Sequence, residues 1–189
     1  MKQYDVAVVG LGIVGASAVY AAAWAGARVL ALDAGAPASG TSSASFAWLN
    51  SVRKEPEAYH QLNAAGMTAH RELSKELGGD AGHHEGGSLE WAESGADERE
   101  LRERVHRLAS RGYPAEFISR DRARELEPGL AIPDNVGEVA FYGADAWLDA
   151  PPLIPRLLAA ASARRTAILE GRAVRALRTH AARVQAIAT

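Results

Sequence analysis

The chain has 189 residues, room for one large domain or two small ones, and at 48% hydrophobic residues it can bury a proper core. A net charge of −2 creates no field that would draw nucleic acid or an anionic membrane. With no cysteine, a disulfide framework, a zinc-thiolate site and a cysteine nucleophile are excluded, and the composition suits a cytoplasmic protein.

Residues 5–33 read as strand, glycine turn, helix and second strand, closed by an acid. Val6, Ala7, Val8 and Val9 form a continuous apolar run, the pattern of a strand buried on both faces of a parallel sheet. Gly10, Gly12 and Gly15 follow in GxGxxG spacing. The first suits a tight turn, the second lets backbone approach a pyrophosphate, and the third lets helix pack close to strand. The helix predicted over about residues 13–25 turns its N-terminal N–H groups and positive dipole end toward the phosphates. Gly26 ends it, and residues 28–32 form the second strand. Asp33 stands about 20 residues beyond the glycines, where a carboxylate accepts hydrogen bonds from adenosine ribose hydroxyls. The unit as a whole predicts dinucleotide binding, and an acid at 33 would repel a 2′-phosphate, which disfavours NADP. Residues 6–27 are also 22 positions without a charge, long enough on length alone for a bilayer span or a signal peptide. The three early glycines, Asp5 and a single Lys2 argue against both.

Residues 34–45 are too small and polar for a core element. They leave two readings, a flexible surface connection or a second phosphate and ribityl cradle. In the second, Thr41, Ser42 and Ser43 supply hydroxyls and N–H groups at the start of a short helix over about residues 44–50. Residues 56–77 predict a long helix, with Pro56 in its first turn, Leu62, Ala65, Ala69, Leu73 and Leu77 at helical spacing, and Gly78-Gly79 as its stop. His60 and His70 fall among its polar positions, which predicts solvated or locally bonded rings. Residues 83–92 read as one strand. Neighbouring strand residues point to opposite faces, so His83 and His84 chelate poorly and no metal is expected. An amphipathic helix over 97–111, a strand over 116–119 and a helix capped by Ser119 and running to about Leu126 come next. A strand over 136–142, a helix over 152–163, strands over 167–170 and 173–177 and a return strand over 184–188 complete the pattern.

The glycine motif, the acid, Gly40-Thr41-Ser42-Ser43-Ala44-Ser45 and Phe46-Ala47-Trp48-Leu49-Asn50 together resemble the N-terminal half of the FAD-dependent amino-acid oxidoreductases. This is the group of D-amino-acid oxidase, glycine oxidase and sarcosine oxidase. The resemblance implies an α/β fold, a Rossmann-like FAD-binding βαβ domain carrying a discontinuous α+β substrate-domain insertion, here truncated. Residues 1–80 would be FAD-binding, 81–143 a substrate-domain segment, and 144–189 an incomplete return to the FAD-binding domain. FAD would meet Gly10, Gly12, Ile13, Val14 and Gly15 at the pyrophosphate turn, Asp33 and Ala34 at the ribose, and Thr41 and Ser42 at the phosphates. Phe46, Ala47 and Trp48 would lie toward the flavin, and the backbone of Val174, on the strand over 173–177, would meet the adenine. The family more often has Glu at 33 and a small residue at Val19. Some members hold flavin covalently through a Trp-His pair, but Ser43 and Ala44 stand there, so the implied FAD is non-covalent.

The reaction implied is oxidation of the C–N bond of a small amine or amino acid by hydride transfer to flavin, with no nucleic-acid partner and no membrane span. The catalytic residues stay unknown, because the arginine and tyrosine that hold the substrate carboxylate belong to the family's second half. An NAD-dependent dehydrogenase and a truncated remnant with weak or no FAD binding are the alternatives. The Thr/Ser loop and the later strand-rich insertion favour FAD over NAD.

Overall fold

The computed structural model describes residues 3–79 and 82–189. Lys2, and the boundary expected between residues 80 and 81, lie outside the described residues. In chain order the elements are β1 (Val6–Val9), α1 (Ile13–Trp24), β2 (Val29–Leu32), a 3-10 turn (Thr41–Ala44), β3 (Trp48–Leu49), α2 (Glu57–Glu76), β4 (His83–Glu85), β5 (Ser88–Glu90) and α3 (Gly95–Ser110). Then follow β6 (Ala115–Ser119), α4 (Arg120–Leu126), β7 (Glu138–Tyr142), β8 (Ala146–Leu148), α5 (Ala150–Ser162), β9 (Thr166–Leu169), β10 (Ala176–His180) and β11 (Arg183–Ala188). They form two compact units, one of Met1–Ala47, Leu73–Gly82 and Asp149–Thr189, the other of Trp48–Glu72 and His83–Leu148.

The first unit is built on a parallel sheet in the order β1-β2-β9, with Val6 opposite Val29 and Val29 opposite Thr166. Helices α1 and α5 pack on each other, and Leu11, Val19, Val29, Leu32, Leu153, Ile154 and Leu157 are fully buried. Central β2 has the double-sided burial expected of a parallel strand. For β1 that expectation is corrected, since Val6 is 39% and Val9 58% exposed. Its apolar run sits at an edge of the sheet, with a strand on one side alone among the described residues. Strands β10 and β11 form a separate antiparallel hairpin, turned by Ala181 and Ala182 at φ 46° and 58°. The strand expected over 173–177 therefore starts three residues late, at Ala176, and Val174 precedes it in irregular backbone.

The second unit holds two antiparallel sheets, β5-β7-β6 and β3-β8-β4. Its main core gathers Val52, Met67, Leu101, Val105, Leu108, Tyr113, Ala140 and Tyr142, with α3 against β6. Helix α3 begins at the cap Ser94, whose hydroxyl accepts the Asp97 N–H, and α4 begins at Ser119, which accepts from Arg122. Two expectations are corrected here. The helix over 44–50 is absent: a 3-10 turn ends at Ala44, Ala47 takes a left-handed φ of 44°, and Trp48 enters a sheet opposite Trp147. The single strand over 83–92 is two short strands in different sheets, broken at Gly86-Gly87. At Gly87 φ is +76° and a Cβ would lie 2.4 Å from the Phe141 ring, so only glycine fits that break. Of the two readings for His60 the bonded one holds: its ring is buried, with Nδ1–H donating to the Ser51 carbonyl at 2.8 Å.

Ile154 on α5 is fully buried. Replacing it with alanine should cost about 2–5 kcal/mol, read as a lowered urea midpoint with an unchanged slope.

Candidate functional site

The glycine turn between β1 and α1 has the tight geometry that its spacing predicts. Gly10 stands at φ +93°, a conformation that disfavours any side chain. Its N–H donates to the Leu32 carbonyl at 2.8 Å, which ties the turn to the end of β2. At Gly15 a Cβ would sit 1.8 Å from the Gly10 carbonyl oxygen, so helix and turn can close only over a bare Cα. Gly12 is the N-cap of α1 and offers no side-chain cap of its own. The Ser42 hydroxyl supplies one instead, accepting the Ile13 N–H at 3.0 Å. A Cβ on Gly12 would lie 2.9 Å from that same oxygen.

Asp33 closes the arrangement. One carboxylate oxygen accepts the Leu11 N–H at 2.6 Å and the other accepts the Gly35 N–H at 2.8 Å. Its backbone is held as well: the Asp33 carbonyl accepts from Arg172 N–H at 2.7 Å, and the Gly35 carbonyl accepts from Gly171 N–H at 3.2 Å. The loop after β2 thus meets the chain after β9, two residues before half-buried Val174. Two motifs separated by about 30 residues, the glycine turn and the Thr/Ser loop, come together at the N-terminus of α1 through Ser42 and Ile13. Thr41, Ser42 and Ser43 lie in the 3-10 turn, where the Ser43 hydroxyl donates to the Gly40 carbonyl at 2.8 Å. Ala34, Val14 and Phe46 are exposed, the last two at 81% and 82%. The Ala47 N–H donates to Ser45 Oγ at 3.0 Å, which steadies its left-handed turn. Trp48 is the first residue of the second unit.

In that second unit Trp48 belongs to a polar network that sequence reasoning missed. Its indole N–H donates to Asp145 at 3.2 Å, and Ser88 Oγ donates to the same carboxylate oxygen at 2.6 Å. The Tyr113 hydroxyl donates to the other oxygen and itself accepts the Ser51 N–H at 3.2 Å. Asp145 is 1% exposed and has no cation among these partners. Burial pushes its carboxyl above the ordinary value, against the downward pull of Ser88, Tyr113 and Trp48. The Tyr113 hydroxyl is raised too, first by burial and then by the Asp145 carboxylate. Nearby, Glu90 accepts from Arg53 and Arg104, both at 2.6 Å, and from the Tyr142 hydroxyl at 2.9 Å. Tyr142 is pushed up to about 12, mainly by burial. A lone Asp beside Ala146-Trp147 gave no sign of this network, because its donors come from residues 48, 88 and 113. His83 and His84 lie on opposite sides of β4, one half-buried and one exposed, and no group of three metal-ligating side chains occurs among the described residues. No helix of the described residues is long and apolar enough to cross a membrane.

The family model described as FAD dependent oxidoreductase matches residues 5–189. A glycine oxidase of Geobacillus kaustophilus (strain HTA426) is 29% identical over 175 residues, which are 89% of this chain and 46% of that protein. The crystal structure of glycine oxidase from Bacillus cereus ATCC 14579 superposes with a TM-score of 0.82 at 25% identity, over 98% of this chain and 51% of that one. L-amino acid deaminase from Proteus vulgaris shares the fold, with a TM-score of 0.87 at 20% identity over 99% of this chain and 44% of that one. The chain spans about half the length of the curated relatives it matches. It belongs to the FAD-dependent oxidoreductase family.

The raised carboxyl of Asp145 carries a pH signature. A group whose proton is held more tightly folded than unfolded contributes stability below its ordinary value of 3.8, lost as pH rises through the raised value. Asp145→Asn does not titrate, so its stability relative to the parent should improve as pH rises above about 4 in urea unfolding. A difference independent of pH would show an unshifted carboxyl.

Proposed function

We propose that this chain is the FAD-binding portion of an oxidoreductase that oxidises the C–N bond of a small amine or amino acid. Its premise is membership of the FAD-dependent oxidoreductase family, whose cofactor is FAD. Glycine is the substrate named by two relatives, and an amino acid is named by the deaminase. The observation that carries the reading is Asp33 reaching back to the Leu11 N–H at 2.6 Å, beside a helix start stripped of side chains at Gly12.

The residues present fit the cofactor. A bare backbone at Gly10 and Gly12 leaves the turn open to a pyrophosphate, Gly15 lets the helix close onto that turn, and the N–H groups of Ile13 and Val14 stand at the positive end of α1. Ser42, already on the Ile13 N–H, would share or yield that donor, with Thr41 and Ser43 in the same turn. Each Asp33 oxygen holds one backbone N–H and keeps a lone pair for a ribose hydroxyl, next to Ala34. We assign Phe46, Ala47 and Trp48 to the flavin side and Val174 to the adenine side. Residues 1–80 and 144–189 are the cofactor-binding segments in this reading, and 81–143 the substrate-facing one. Bound FAD supplies the hydride acceptor. This chain's own residues bind and orient it. A cytoplasmic location fits a cysteine-free chain.

Purified protein should carry or take up FAD, giving a flavin absorption band at about 450 nm. A well-folded, colourless protein whose FAD fluorescence titration is flat would sink the proposal. Gly12→Val should abolish FAD binding while far-UV circular dichroism stays unchanged, because its side chain fills the pyrophosphate's approach and collides with Ser42. Asp33→Ala should weaken FAD by about 1.5–3 kcal/mol in the same titration, through loss of charge-assisted ribose bonds. Unaltered affinity would move the ribose elsewhere.

A further inference from the structure

Tyr113 carries one hydroxyl hydrogen and has two acceptors within reach. Its oxygen lies against Oδ1 of the Asp145 carboxylate and 3.7 Å from Met67 Sδ. A phenol has a single O–H to give, so one of the two acceptors goes without it. The phenol oxygen itself is pinned, because the Ser51 N–H donates to it at 3.2 Å and the Tyr113 side chain is buried. Only the hydrogen is free to turn.

The carboxylate has a matching asymmetry. Its Oδ2 takes two donors, the Trp48 indole N–H at 3.2 Å and the Ser88 hydroxyl at 2.6 Å, whereas Oδ1 takes Tyr113. A proton arriving on Oδ2 would displace one of its donors, and an indole N–H cannot reverse. A proton arriving on Oδ1 needs one change. The new Asp145 O–H donates to the Tyr113 oxygen, and the Tyr113 O–H turns to Met67 Sδ. Every donor then still has an acceptor, and the Trp48 indole keeps its bond. Burial of a carboxyl with no cation among these partners favours the neutral form.

We propose that Asp145, Tyr113 and Met67 form a buried proton switch, in which uptake of one proton on Asp145 Oδ1 turns the Tyr113 hydroxyl from the carboxylate to the Met67 thioether. The heavy atoms keep their places, so the charge of this core changes by one without a rearrangement of the chain. The switch links α2, through Met67, to the residue before β8. Two other titratable side chains face it. His60 on α2 stands edge-on to Tyr113, with ring centroids 5.4 Å apart, and Tyr142 on β7 donates to Glu90. Glu90 on β5 is in turn held by Arg53 and by Arg104 of α3. The other α3 residues in this core, Leu101, Val105 and Leu108, are apolar.

The 189-residue chain, labelled with 13C at methionine methyls and aspartate carboxyls, is titrated from about pH 8 to about pH 4 and followed by NMR. The His60 ring signals serve as the control. The Asp145 carboxyl and the Met67 methyl should shift together, at one midpoint above 3.8. In Tyr113→Phe the Met67 methyl should no longer follow Asp145. Met67→Leu conserves core volume but removes the acceptor of the turned hydroxyl. Its Asp145 midpoint should fall by about half a pH unit, about threefold in proton affinity. A Met67 methyl that ignores the Asp145 midpoint or follows His60 instead would overturn the switch, as would a Met67 response that survives in Tyr113→Phe. An Asp145 midpoint unchanged in Met67→Leu would put the proton on the Ser88 side and overturn it too. So would an Asp145 carboxyl that never titrates above 3.8.

Discussion

The bond from Asp33 to the Leu11 N–H, at 2.6 Å, is the contact on which the first unit's functional end depends. A carboxylate at the end of one parallel strand takes a donor from the turn after its neighbour, so two strand ends are fixed to each other. Its other oxygen folds the following loop back through Gly35, and its own carbonyl receives the chain after β9 at Arg172. Three crossings of the chain therefore meet at one residue, at the C-terminal ends of β1, β2 and β9. Open parallel sheets bind ligands outside those strand ends, where helix N-termini point the same way. The acid thus builds the turn and keeps acceptor capacity for a ligand hydroxyl. Asp is one methylene shorter than Glu, and these two backbone bonds are a job that the shorter side chain performs at close range.

What the sequence made legible follows from how far apart the interacting residues lie. The βαβ unit was readable because strand, glycines, helix and acid are consecutive, and each glycine answers to a local steric demand. At Gly15 a Cβ would meet a carbonyl oxygen of the same turn at 1.8 Å. The caps Ser94 and Ser119 act within three residues, and Ser119 was read as a cap. The segment after the Thr/Ser loop was misread as helix because its determinants are distant. Trp48 pairs with Trp147 and bonds Asp145, 97 positions away. The enclosure of His60 was invisible for a related reason: nothing in a helical pattern reveals that Ser51 and Tyr113 surround its ring. The apolar run of β1 reads the same whether a strand lies at the centre or the edge of a sheet, so its exposure was invisible.

Asp33 and Asp145 show two uses of a carboxylate in one chain. Asp33 is half-buried and held by backbone N–H groups, which are present whatever the neighbouring side chains are. Asp145 is buried and held by a hydroxyl, a phenol and an indole, with burial outweighing them so that its carboxyl is raised. A buried acid without a cation costs stability, and an apolar residue would pack there more cheaply. What the acid adds is direction. It joins β3, β5 and Tyr113 through three donors that no apolar side chain could orient, and it fixes the indole of Trp48 at the surface.

Backbone and side chains consequently divide the work between them. At the glycine turn the geometry is written in main-chain atoms, and Gly12 and Gly15 leave no space for an added carbon, so the sequence there has almost no freedom. On the β3-β8-β4 sheet the backbone only sets the register, while exposed rings at 48, 84 and 147 supply the surface. His84 and Trp147 can be exchanged without opening a cavity, because Ala146 and Leu148 form the buried side of the same strand, whereas Trp48 also donates to buried Asp145. In the proposed reading, the cofactor requirement is thus tied to the folding of the first unit.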